Sequence, residues 1–145
     1  TYLLVNSYLY RIAYLMVRYF RADTPEESSQ VSGTNYHIQQ AVDYIEKHFK
    51  EDLSTADVAA KAGLSREHFS RIFREYTGVT FKRFLTSLRL AVAYRLLVGT
   101  ELSTMDIALS AGFPDSQNFS RHFKQHYGCP PAEYRRTCAQ PSARK

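Results

Sequence analysis

Apolar residues recur at three- and four-residue steps through most of the chain, and the runs they form are cut at glycines. Between Tyr36 and Phe49, the positions Ile38, Ala41, Val42, Ile45 and Phe49 fall on one side of a helix. Ser54 stands ahead of Asp57 and Ser103 ahead of Asp106 in the same S-x-x-D order. In that capping pattern the hydroxyl takes an orphan backbone N–H at a helix start. Each of the short helices so begun is expected to end at an Ala-Gly pair, where Gly63 and Gly112 can take the left-handed backbone that turns the chain. Ser65 and the pair Pro114-Asp115 then restart helices that run to Gly78 and Gly128. From Thr80 to Val98 a single long helical pattern carries Phe81, Phe84, Leu85, Leu88, Ala91, Val92, Leu96 and Leu97. At roughly 1.5 Å per residue it spans about 30 Å. Pro130-Pro131 opens a last short helix, and no strand pattern appears after Tyr36, so the expected fold class is all-α.

Ahead of this region, residues 2–21 are apolar enough to raise the question of a membrane span, but Asn6, Arg11 and Arg18 interrupt them. At helical spacing Ser7, Arg11, Tyr14, Arg18 and Arg21 form one stripe, and Leu4, Leu9, Ile12, Leu15, Met16 and Tyr19 spread over the rest. The reading is an amphipathic helix and no membrane. Arg21 to Asn35, with Pro25, Gly33, Ser28, Ser29, Ser32 and Thr34 and no apolar period, reads as a flexible linker. The predicted plan is an amphipathic helix over 1–22, a linker over 23–35, a helical domain over 36–138 and a frayed basic tail over 139–145. Because the chain opens on Thr1 without an initiator Met, it is expected to be a fragment.

The central stretch is written twice. Leu53 to Gly63 matches Leu102 to Gly112 at 7 of 11 positions, and Phe69 to Gly78 matches Phe119 to Gly128 at 5 of 10. The single extra residue of the later copy falls around the turn. A solenoid needs three or more copies, so two copies indicate paired modules. Short helix, glycine turn and second helix make a helix-turn-helix, over 53–78 and again over 102–128, joined by the long helix over 80–98. That motif points to DNA. The formal charge of +5 agrees with a polyanionic partner and is unevenly placed: residues 36–145 carry 16 Lys/Arg against 11 Asp/Glu, residues 1–35 carry 3 against 3.

The second helix of each copy holds the candidate contact residues. On the helix from Ser65, Phe69, Ile72, Phe73 and Tyr76 form the inward stripe, which leaves Arg66, Glu67, Ser70, Arg71 and Arg74 outward. A major groove accepts an α-helix, where Arg forks onto guanine O6/N7, Gln or Asn pairs with adenine N6/N7, and a carboxylate accepts from cytosine N4. The later helix offers Gln, Asn and Arg together. Glu67 brings a negative charge near phosphates, so it either reads cytosine or orients Arg71. Phe69, Phe73, Phe119 and Phe123 are expected in the core rather than as platforms for stacked bases.

Other chemistry finds little support. Cys129 and Cys138 stand nine apart without a Cys-x-x-Cys pair, which suggests reduced thiols in a cytoplasmic protein. His122 and His126 are one helical turn apart and near Cys129, but neither His-Glu-x-x-His nor a paired-cysteine site is present, so no metal and no cofactor is expected. Without a Gly-rich phosphate loop, a nucleophile elbow or a clustered carboxylate pair, an enzyme is not expected. The competing class is a helical protein-interaction module that uses the same fold without DNA.

The run Ala111-Gly-Phe-x6-Ser-Arg-x-Phe-Lys124, followed by Gly128-x-x-Pro131-x-x-Tyr134-Arg135, resembles the AraC/XylS transcription regulators of bacteria. Arg89-x-x-x-Ala93-x-x-Leu96-Leu97 on the linking helix agrees with them, and the resemblance covers about Tyr36 to Arg136. It implies a homeodomain-like, seven-helix domain with two helix-turn-helix subdomains on a rigid helix. Its usual place is the C-terminus of a longer protein whose N-terminal half senses a ligand. Carried over by position, the base-contacting residues are Arg66, Glu67, Ser70 and Arg71 on the first recognition helix and Ser116, Gln117, Asn118 and Arg121 on the second. Arg74, Lys124 and Arg89 suit phosphate. The implied function is sequence-specific binding of double-stranded DNA at the bacterial nucleoid by an activator that recruits RNA polymerase. Residues 2–21 are expected either to dock on the missing ligand-sensing domain or to pair as a homodimer.

Overall fold

The computed structural model describes residues 29–138, so the helix expected over 2–21 and the basic tail lie outside the described residues. Among the described residues seven helices follow one another: α1 (Ser29–His48), α2 (Thr55–Lys61), α3 (Arg66–Thr77), α4 (Phe81–Gly99), α5 (Thr104–Ser110), α6 (Ser116–Tyr127) and α7 (Pro131–Cys138). No strand occurs among the described residues. The fold is all-α, with the two helix-turn-helix units and linking helix that the sequence indicates.

One boundary differs. α1 starts at Ser29, so Ser29–Asn35 is helical where the composition reads as linker. Apolar periodicity reports a buried face, and the apolar period of this helix begins only at Ile38. Once that part of the helix is formed, each preceding residue adds a backbone hydrogen bond without needing an apolar neighbour. Gly33 is carried inside it at a cost of about 1 kcal/mol relative to Ala.

The helix starts follow from local chemistry. Ser54 Oγ accepts from the Asp57 amide at 3.1 Å while the Asp57 carboxylate accepts from the Ser54 amide at 3.1 Å, a reciprocal capping box. Hydrogen bonding from Ser54, side chain first and backbone second, holds the Asp57 carboxyl below its ordinary pKa. Ser103 caps α5 through the Asp106 amide at 3.1 Å, Ser65 caps α3 through that of His68 at 3.3 Å, and Asp115 caps α6 through that of Asn118 at 2.6 Å. Gly63 and Gly112 close the short helices at φ 71° and 90°, values that L side chains rarely adopt.

Two separate cores result. In the first, Ile38, Val42 and Ile45 of α1 meet Val58 and Ala59 of α2, Phe69 and Phe73 of α3, and Phe81 and Leu85 of α4. In the second, Leu90, Ala93 and Leu97 of α4 meet Ile107 and Ala108 of α5, Phe113, Phe119 and Phe123, and Tyr134 of α7. α4 therefore closes the first module with its N-terminal half and opens the second with its C-terminal half, the change falling between Leu88 and Leu90. Phe69, Phe73, Phe119 and Phe123 are fully buried, as expected. Each is worth about 1.5–3 kcal/mol in burial, and tilted or edge contacts such as Phe69–Phe73 at 5.2 Å and Phe119–Phe123 at 5.5 Å add to that. Arg135 of α7 ties down the end of α4: its Nη1 donates to the Leu102 carbonyl at 2.8 Å and its Nε to that of Leu97 at 3.2 Å.

Candidate nucleic-acid interface

α3 and α6 are the second helices of the two motifs, and their caps, Ser65 and Asp115, hold matching positions in the repeat. Each buries one phenylalanine stripe, which leaves the opposite face free. On α3 the side chains of Arg66, Glu67, Ser70, Arg71 and Arg74 are exposed; on α6 Gln117, Arg121 and Lys124 are exposed, and Ser116 and Asn118 are half-buried. All of these residues thus keep a polar surface within reach of a ligand. Each recognition helix ends at a glycine, where the amides of Gly78 and Gly128 donate to the carbonyls of Arg74 and Lys124 at 2.9 Å.

The arginines of this surface are weakly held. Among the described residues, the guanidinium groups of Arg66, Arg74 and Arg121 make no internal hydrogen bond or ion pair. Arg71 Nη1 lies 3.4 Å from Glu75 Oε1, with both side chains 64% exposed. A pair so open to water contributes about 0.2–1 kcal/mol and is given up readily. Ser70 Oγ donates to the Arg66 carbonyl at 2.8 Å, so in this rotamer it offers a ligand an acceptor.

Matching α3 to α6 through their caps aligns the two faces residue by residue. Arg66, Glu67 and Arg71 correspond to Ser116, Gln117 and Arg121, and His68 then corresponds to Asn118. His68 is exposed in the first turn of α3 and joins the candidate contacts of that helix. The repeat itself carries the signal that finds it. Two further histidines, His122 and His126, lean on aromatic rings, His122 over Phe113 at 6.2 Å and His126 edge-on to Tyr127 at 4.7 Å. Burial lowers the pKa of both, and the charge of Arg121 lowers that of His122 further.

Arg89 lies elsewhere. Its Nε donates to the Phe49 carbonyl and its Nη2 to the Glu51 carbonyl, each at 2.7 Å. Burial lowers its pKa, against the attraction of Asp52. This geometry favours a clamp on the end of α1 over the phosphate contact expected from the sequence, because two of the three guanidinium nitrogens are already engaged. Among the described residues no group of three or more His, Cys, Asp or Glu is placed to hold a metal, and no helix is long and apolar enough to cross a membrane.

Two helix-turn-helix modules on one shared helix, each presenting a polar, arginine-bearing second helix, define a double helix-turn-helix DNA-binding domain. The helix-turn-helix domain family matches residues 58–137. The chain is 32% identical over 134 residues to the lactose operon transcription activator of Staphylococcus xylosus, covering 92% of this chain and 47% of the relative. It is 31% identical over 134 residues to the Msm operon regulatory protein of Streptococcus mutans, covering 92% of this chain and 48% of that one. Among solved structures, the DNA-binding domain of the global transcriptional factor AdpA in complex with a target DNA is similar at TM-score 0.68 and 30% identity, over 73% of this chain and 97% of that one. The C-terminal domain of AraT, a response regulator of Geobacillus stearothermophilus, is similar at TM-score 0.68 and 34% identity, over 75% and 91%. The chain belongs to the AraC/XylS family of helix-turn-helix regulators, which are DNA-binding transcription regulators and not a class of enzymes. It spans about half the length of the curated relatives it matches.

Proposed function

We propose that this chain reads double-stranded DNA in two successive major grooves, α3 in one and α6 in the next. The observation that carries this reading is the duplicated polar face. Arg66, Glu67, His68, Ser70 and Arg71 on α3, and Ser116, Gln117, Asn118 and Arg121 on α6, offer the side chains that pair with base edges. Arg74 and Lys124, farther along the same helices, suit phosphates. α4, with 19 residues, is about 28 Å long, which suits two grooves about 34 Å apart along one face.

The whole protein, in this reading, is a transcription activator of the bacterial nucleoid that recruits RNA polymerase, as its operon-activating relative is named for activation. A ligand-sensing half precedes the DNA-binding half, and residues 2–21 dock on it or pair with a second copy. One observation favours an added protein contact: Met105 and Leu109 of α5 are 56% and 53% exposed, where the first module has Ala56 and Ala60. These residues are on α5 rather than on the recognition helices, so such a contact accompanies DNA reading instead of replacing it.

A salt titration on a duplex selected from random sequence tests the proposal. Each neutralised phosphate releases counterions and contributes about −0.9 to the log–log slope. Affinity should therefore fall steeply between low and moderate salt. An affinity that stays level would leave the protein-interaction reading standing.

A further inference from the structure

Helix packing stays almost wholly within each module, and α4 is the element that belongs to both. A single helix fixes a distance but leaves freedom to twist and bend. At the point where α4 passes from one core to the other, between Leu88 and Leu90, stands Arg89. Its fork engages the carbonyls of Phe49 and Glu51 just beyond the end of α1, in the first module. The turn of the second module reaches the same place. A Cβ built on Gly112 would lie 2.8 Å from Lys50 Cα, 2.8 Å from the Phe49 carbonyl oxygen and 3.1 Å from Arg89 Nε. The first two are backbone atoms, which cannot swing aside. The equivalent glycine of the first module, Gly63, has nothing within 4 Å of such a Cβ.

We propose that Arg89 and Gly112, meeting over the Phe49 carbonyl, form the joint that fixes the two helix-turn-helix modules relative to each other, and so sets the DNA spacing that the domain accepts. Arg89 acts here as a positioning residue. Its planar fork can engage two carbonyls at once, whereas a lysine in its place keeps the charge but presents one point donor. Gly112 is needed twice over, for its φ of 90° and for the closeness of the α1 end. Gly63, in open space, is needed only for its backbone angle. The repeat therefore supplies its own control. The spacing consequence rests on the two-groove reading, while the joint itself does not.

The test has two arms on the full chain. In the first, without DNA, spin labels at the exposed Ala60 and Leu109, attached by a chemistry that spares thiols, report the distance between modules. One narrow distribution is expected for the parent and for Gly63→Ala, and a broadened or displaced one for Arg89→Ala, Arg89→Lys and Gly112→Ala. Distributions for Arg89→Ala and Arg89→Lys that match the parent would overturn the joint, and these variants decide the matter even if Gly112→Ala fails to fold. In the second arm, affinity is measured for the selected duplex and for versions with one base pair inserted or removed between the half-sites, a shift of about a tenth of a DNA turn. The parent should lose about tenfold, comparable to losing one base contact, and the Arg89 variants distinctly less. If Arg89→Lys instead binds every duplex like the parent, while Arg89→Ala weakens all alike and lowers the salt slope by about one, the residue is a phosphate contact and the positioning role is wrong. A parent indifferent to spacing would count against two-groove reading, and the distance arm would still decide the joint.

Discussion

Replacing Arg121 by Ala removes a guanidinium that is exposed on α6 and has no internal partner among the described residues. Folding should hardly notice, since surface changes away from caps and cores stay within about 0.5 kcal/mol. The one internal effect foreseen is on His122, whose pKa the Arg121 charge helps to lower. Binding is a different matter. A bidentate contact to a guanine edge is worth about 1–3 kcal/mol, a loss of roughly 5- to 150-fold on the preferred duplex. Arg71→Ala should cost somewhat less, because Arg71 must first leave Glu75, 3.4 Å away, and that exposed pair is worth about 0.2–1 kcal/mol. Fluorescence anisotropy on the selected duplex and on a shuffled one, at a single salt concentration, separates reading from holding. The variants should bind the selected duplex less well and the shuffled one nearly as before, with relaxed choice at one base pair. Arg74→Ala and Lys124→Ala should weaken both duplexes alike and reduce the salt slope by about one unit. Equal losses on both duplexes for Arg121→Ala and Arg71→Ala would make these arginines phosphate clamps and refute base readout through them.

Phe123→Ala should cost about 3–5 kcal/mol, since the ring is fully buried among Phe119, Tyr127 and Tyr134; urea unfolding measures the loss, and a cost under about 1 kcal/mol would contradict the packing described. Ser54→Ala and Ser103→Ala should each lower stability by about 1 kcal/mol, because each removes the hydroxyl that accepts a helix-start amide at 3.1 Å, and an unchanged melting temperature for either would count against its cap. Burial holds His122 and His126 below the ordinary imidazole pKa, so on acidification the unfolded chain takes up protons that the folded chain resists. Their contribution is constant above about pH 6.5, and stability declines as pH drops through that value towards the depressed folded ones. The melting temperature should therefore fall on acidification, and less steeply in a chain with both His122→Gln and His126→Gln; identical profiles would remove the histidines from the explanation.

What was legible in the sequence was local. Ser54, Ser103 and Asp115 act within one helical turn, Gly63 and Gly112 act through their own backbone angle, and the phenylalanine stripes follow helical spacing. The joint was not legible, because Arg89 meets Phe49 and Glu51 across 40 and 38 residues of chain. A sequence pattern shows that an arginine is present, but not which carbonyls it finds. The Ala-Gly pair marks Gly112 as a turn residue, which it is, but the nearness of Lys50 depends on how two modules come together. The early start of α1 was not legible for another reason: the sequence of Ser29–Asn35 carries no apolar period. His68 differs again, since matching the two copies position by position places it beside Asn118.

The central claim is that both recognition helices read DNA at once, and footprinting of a single bound chain tests it most directly. Guanine-methylation and hydroxyl-radical protection, at a protein concentration that saturates one site, should show two protected major-groove segments. They should lie about 34 Å apart on one face of the duplex, with the segment at α3 weakened by Arg71→Ala and the one at α6 by Arg121→Ala. Protection confined to one groove, lost with one arginine and indifferent to the other, would mean that one module is structural and that the two-groove account is wrong.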